Sequence, residues 1–61
     1  MENIILISVG GGIEVKDHKG KRIFFQWSDF PGVRKIPTTY EKSYLVLKSE
    51  FQALGFNLLK P

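Results

Sequence analysis

Thr38-Thr39-Tyr40-Glu41-Lys42-Ser43-Tyr44-Leu45-Val46-Leu47-Lys48-Ser49-Glu50-Phe51-Gln52-Ala53-Leu54-Gly55-Phe56 reads as one helix with both ends marked. Thr38-Thr39-Tyr40-Glu41 fits a capping box, in which a threonine oxygen accepts the N3 amide proton and the glutamate reaches back. Tyr40, Tyr44, Leu47, Phe51 and Leu54 then recur at spacings of four, three, four and three, which puts all five on one stripe of a 3.6-residue helix. Glu41, Lys42, Lys48, Ser49 and Gln52 take the remaining face. Gly55 can adopt the left-handed conformation that ends a helix, with Phe56 folding back onto Phe51 in a Schellman contact. The expected helix covers 39–54, and Pro37 separates it from what precedes.

Upstream of that helix the pattern changes to β-branched and aromatic runs punctuated by glycine. Asn3 to Val9 suits a strand buried on both faces; periodicity alone also permits a helix, and the Ile/Val richness with Gly10-Gly11-Gly12 behind it favours strand. Ile13-Glu14-Val15-Lys16 alternates, and so do Ile23, Phe25 and Trp27 against Arg22, Phe24, Gln26 and Ser28. Asp17 to Gly20 has turn chemistry, so two antiparallel strands joined by a tight tip are expected. Asp29-Phe30-Pro31-Gly32 marks a second turn, after which Val33-Arg34-Lys35-Ile36 reads as a short third or edge strand. Phe56 to Leu59 adds another strand or docks as a tail. The reading is a single α+β domain over residues 1–61. It is a small antiparallel sheet of three or four strands in β-β-β-α order, covered on one face by a single C-terminal helix.

Sixty-one residues leave room for one core, and a chain of this length buries only about 60% of the surface its unfolded form exposes. With no cysteine and one histidine, neither disulfides nor a zinc site can staple it, so packing or a partner must supply the stability. Hydrophobic residues at 43% and aromatics at 13% place the chain outside the composition of disordered segments. The longest apolar run, Ile4-Ile5-Leu6-Ile7, is far below the roughly 20 residues that cross a bilayer. Acidic Glu2 stands where a secretory leader carries basic residues. A cytoplasmic protein with no membrane association is the expectation.

Chemistry for catalysis is sparse. His18 beside Asp17 in a turn does not make a preorganised acid–base pair, and no thiol is present as nucleophile. Glu2, Glu14, Asp17, Asp29, Glu41 and Glu50 have no spacing that converges two carboxylates or builds a metal site. Gly10-Gly11-Gly12 follows a strand but lacks the lysine-serine ending of a phosphate loop and leads into another strand, so it reads as a hairpin connection. No catalytic residue, metal or cofactor is expected.

The net charge, in contrast, is concentrated. Lys16-Asp17-His18-Lys19-Gly20-Lys21-Arg22 holds four basic residues against one acid, while the other 54 residues hold five of each, so this segment accounts for the whole formal charge of +3. A hairpin tipped by Lys16, Lys19, Lys21 and Arg22 presents donors to phosphates, and Arg34 and Lys35 extend the patch if their strand lies alongside. Phe24, opposite the Phe25/Trp27 face, is a candidate for stacking on a base. Each feature has an ordinary reading too: lysine-rich tips solubilise and blunt sheet edges, and Phe24 serves as second-face core or dimer contact. The order of elements over residues 13–54 resembles that of the arm-type DNA-binding domains of tyrosine recombinases, a likeness that implies DNA binding through the sheet and assigns no particular residue.

A second class is a protein-interaction module, a small regulator or inhibitor of the phage or mobile-element type. Ile4 to Ile7, Phe24, Trp27 and Phe30 exceed what one helix can cover, and aromatic residues carry much of the energy at interfaces. Trp27 is either an ordinary sheet–helix core residue or an exposed anchor. The surplus on the first strand is resolved by homodimerisation, or by Phe56, Leu58 and Leu59 wrapping across the second face. The reading favoured is a non-enzymatic nucleic-acid-binding protein acting through its basic hairpin, as a dimer.

Overall fold

The computed structural model describes all 61 residues. Four strands, β1 (Glu2–Val9), β2 (Ile13–Lys16), β3 (Arg22–Phe25) and β4 (Phe56–Leu59), form one sheet in the order β3-β2-β1-β4. One helix, α1 (Tyr40–Ala53), packs on one face of it. The α+β class and the single covering helix are as the sequence reads, and residues 56–59 are indeed a fourth strand. The sheet is mixed rather than antiparallel throughout: β1–β2 and β2–β3 are antiparallel hairpins, whereas β4 returns from the helix to pair parallel with β1. A helix laid along a strand reverses the chain once more, so the strand after it runs in the original direction.

Register determines which side chains meet the helix. Ile4 lies beside Leu58, Leu6 beside Val15 and Ile23, and Val9 beside Ile13 and Phe25, giving rows that face α1. Ile4, Leu6, Ile13, Val15 and Leu58 are buried against Leu47 and Phe51. Each such side chain contributes roughly 1.5–3 kcal/mol by leaving water. Between Leu6 and Ser8 the β1–β2 pairing shifts by one residue. This bulge resets the alternation, so Ile7 and Ser8 are both turned away from the core while Val9 returns to it. The surplus of β1 is thereby divided: Ile4 and Leu6 are buried, Ile5 and Ile7 are half-buried.

Beyond Phe25 the strand ends earlier than its alternation predicts. Trp27–Asp29 is a 3-10 turn, closed by the Gln26 amide donating to Asp29 Oδ2 at 2.8 Å. Trp27 is still buried, and its Nε1 donates to the Gly10 carbonyl at 2.8 Å, tying the turn to the β1–β2 connection. Phe30 is buried as well, its ring 5.0 Å from Phe51 and 5.7 Å from Phe25. Val33 to Ile36 form no strand; the segment runs as an irregular connection into α1, anchored by the Val33 amide on the Phe30 carbonyl.

The helix caps with Thr39 alone. Its Oγ1 accepts the Lys42 amide at 3.2 Å. The capping box through Thr38 does not form: with Thr39 as N-cap the N3 position falls on Lys42, and Glu41 accepts from Lys60 Nζ at 2.7 Å, which links the helix start to the chain end. At the other terminus Gly55 has φ of 93°, and Phe56 meets Phe51 edge-on at 6.3 Å as the Schellman pattern requires. Leu54, the last member of the expected stripe, is exposed; Ser43, which the stripe omits, is buried with its hydroxyl donating to the Thr39 carbonyl. Tyr40 and Tyr44 donate to the Leu6 and Leu58 carbonyls, fastening the helix to β1 and β4. No helix is long and apolar enough to cross a membrane.

Candidate nucleic-acid interface

Because α1 covers one face, the other face of the sheet is bare. Its rows follow from the same register. Leu59, Ile5, Lys16 and Arg22 form one row; Ser8, Glu14 and Phe24 form the next, toward the β1–β2 connection. Asn3 and Asn57 bond to each other across β1 and β4 at 3.0 Å. Phe24 is 72% exposed, and alone among the five phenylalanines it pairs with no other ring. The C-terminal strand adds to the sheet edge instead of wrapping across this face.

The tip between β2 and β3 is held by its own backbone. Asp17 Oδ1 accepts the Lys19 and Lys21 amides at 2.9 and 2.8 Å, the Asp17 amide donates to the Lys21 carbonyl, and Gly20 takes φ of 83°. These donors, the Lys21 amide first, lower the Asp17 pKa below the ordinary aspartate value. The basic residues around the turn are not equivalent. Arg22 folds onto the sheet, its Nη1 3.0 Å from Glu14 Oε2, while Glu14 Oε1 accepts from Ser8. His18 Nδ1 meets Glu2 Oε2 at 3.0 Å. Lys16, Lys19 and Lys21 form no ion pair. The positive end of the hairpin is therefore three free ammonium groups beside a neutralised arginine, a smaller charge than the sequence alone suggests.

Arg34 and Lys35 do not extend this patch through a neighbouring strand. They are exposed on the segment leading into α1, and Lys35 lines a groove with Ile36, Pro37, Lys42, Leu45 and Val46 on the helix side. Trp27 and Phe30 are likewise removed from any surface role by burial.

A feature with no counterpart in the sequence reading lies beside Phe24. Ser8, Gly10, Gly11, Gly12, Glu14, Phe24 and Gln26 line an open concavity of about 460 Å³. The bulge that turns Ser8 outward creates one wall, and a bulge leaves no mark in a hydrophobic pattern. No group of three or more His, Asp or Glu side chains is arranged to hold a metal ion. No protein-family model, curated protein or solved structure matches the chain.

Proposed function

We propose that this chain is a non-enzymatic binding protein of the cytoplasm that holds nucleic acid on its bare sheet face, by stoichiometric occupancy and without turnover. The observation that carries the reading is the exposed Phe24 ring one row from Lys16 and Arg22, with Lys19 and Lys21 free at the tip of the same hairpin. Unpaired ammonium groups meet phosphates at little desolvation cost, and a bare ring offers an apolar surface to a base or a groove. Titration with labelled oligonucleotides at several salt concentrations tests it. For three phosphate contacts, log K is expected to fall against log salt with a slope between about −2 and −3. K19E/K21E is expected to weaken binding and flatten that slope; binding that ignores both salt and the double substitution would remove the proposal.

A second reading has its own observation. Leu45 and Ile36 are 67% and 53% exposed in the helix-side groove, with Lys35 and Lys42 at its edge and no carboxylate lining it. That surface suits a protein partner carrying acidic and apolar groups. Leu45→Asp separates the two readings, because it abolishes such an interaction and leaves oligonucleotide affinity unchanged.

A further inference from the structure

We infer that the ligand of the bare sheet face is a single-stranded nucleic acid, one base of which stacks on Phe24 inside the concavity beside Gly10, Gly11 and Gly12. The inference rests on the nucleic-acid reading above and adds strandedness and a seat for the base.

The glycines make the strongest argument. Neither Gly10 nor Gly11 has positive φ, and a Cβ placed on either would meet nothing within 4 Å. The backbone thus does not require glycine at these two positions. What glycine does here is keep the space next to Phe24 empty. Gly12 differs, since a Cβ there would come 3.3 Å from the Phe25 carbonyl. The concavity, at about 460 Å³, falls within the range of small-ligand sites.

Its walls match a heterocycle better than a hydrocarbon. The amides of Gly11 and Gly12 donate to no backbone carbonyl, and the exposed Gln26 side chain, whose oxygen faces the Asp29 amide in the 3-10 turn, lines the space beside them. These groups offer both donors and an acceptor to the edge of a base whose face lies on Phe24. A purely apolar ligand would strip water from them without replacing it. Glu14 projects no free charge into the space, being held by Ser8 and Arg22. The Lys16/Arg22 row lies two residues away along the strands, about 6.8 Å, within side-chain reach of the backbone of the stacked nucleotide. A duplex cannot use this arrangement, because its base faces are already stacked on each other and only their edges are presented in the grooves.

The test is a fluorescence-anisotropy titration of the full chain with rU10, dU10 and a ten-base-pair duplex, beside amide spectra of the labelled protein. Because the contacts are to base and phosphate, rU10 and dU10 are expected to bind within about threefold of each other and about tenfold tighter than the duplex. Phe24→Ala and Gly11→Leu are each expected to remove about tenfold of that single-strand affinity, the second by filling the concavity, while Phe24→Tyr retains it. The Gly11, Gly12, Phe24 and Gln26 amides should shift on binding. All three variants alter exposed positions, and circular dichroism checks that they fold. Equal affinity for duplex and single strands, indifferent to Phe24→Ala but lowered by K19E/K21E, would overturn the stacking inference and leave the nucleic-acid reading standing. A requirement for the 2′-hydroxyl would overturn it as well. Failure of the folded wild-type chain to bind any of the three probes would overturn both.

Discussion

Gly20 and Gly55 occupy the left-handed region at φ 83° and 93°, whereas Gly10 and Gly11 do not, so four glycines divide by what the backbone asks of them. Where φ is positive a Cβ costs about 1–2 kcal/mol; where it is not, and space is open, alanine stabilises by about 0.4–1 kcal/mol through the unfolded chain. Gly10→Ala and Gly11→Ala are therefore expected to raise the urea midpoint, and Gly55→Ala to lower it. A loss of stability in the first two would mean that glycine serves the fold there, which would undercut the argument that it keeps a site open. Asp17 gives a different handle at the same scale. Its pKa is depressed by the Lys21 and Lys19 amides, so the stabilisation is complete above the unfolded value of about 3.9 and is lost as pH falls through the lower folded value. Amide shifts of Lys19 and Lys21, followed by NMR during acidification, should move with a midpoint below 3.9; a midpoint at or above it contradicts the turn geometry.

At the level of elements, the helix and the β2–β3 hairpin are legible because each is encoded locally. The stripe through Tyr44, Leu47 and Phe51, the Asp17–Gly20 turn and the Gly55 stop all involve neighbours within a few positions. What could not be read depends on partners distant in sequence. Two adjacent threonines could cap the helix, and Thr39 does so while Glu41 bonds Lys60, nineteen positions away. Residues 33–36 have strand composition yet pair with neither edge strand, β3 or β4, and run instead as the connection into α1. The Ile7–Ser8 bulge, which shapes the concavity, is set by pairing with Glu14 and Val15. The free lysines of the candidate site were legible as a charge run, whereas the pairing of Arg22 required its cross-strand neighbour Glu14 in place. The cap offers a direct check. Thr39→Ala should cost about 1 kcal/mol in thermal or urea unfolding, and Thr38→Ala close to nothing. The reverse order would restore the Thr38 capping box.

On the scale of the whole molecule, the imbalance is between two faces of one small sheet. One is closed by α1, Trp27 and Phe30; the other leaves Ile5, Ile7, Phe24 and Leu59 without a covering layer. A chain of 7.0 kDa has little further core to draw on, so pairing of two copies through this face is the natural way to hide it in the absence of ligand. The same residues are assigned to the nucleic acid, and one surface cannot serve both at once. If two copies pair through this face, self-association and strand binding are linked with opposite sign, since each copy released from a dimer would free one Phe24 for a base. Sedimentation equilibrium should find the apparent mass rising from one chain toward two as protein concentration increases, and adding dU10 should return it to one chain plus oligonucleotide. Phe24→Ala should weaken both events. A dimer that persists undiminished in the oligonucleotide complex would place the self-association elsewhere, with the Ile36–Leu45 groove as the next surface to vary through Leu45→Asp.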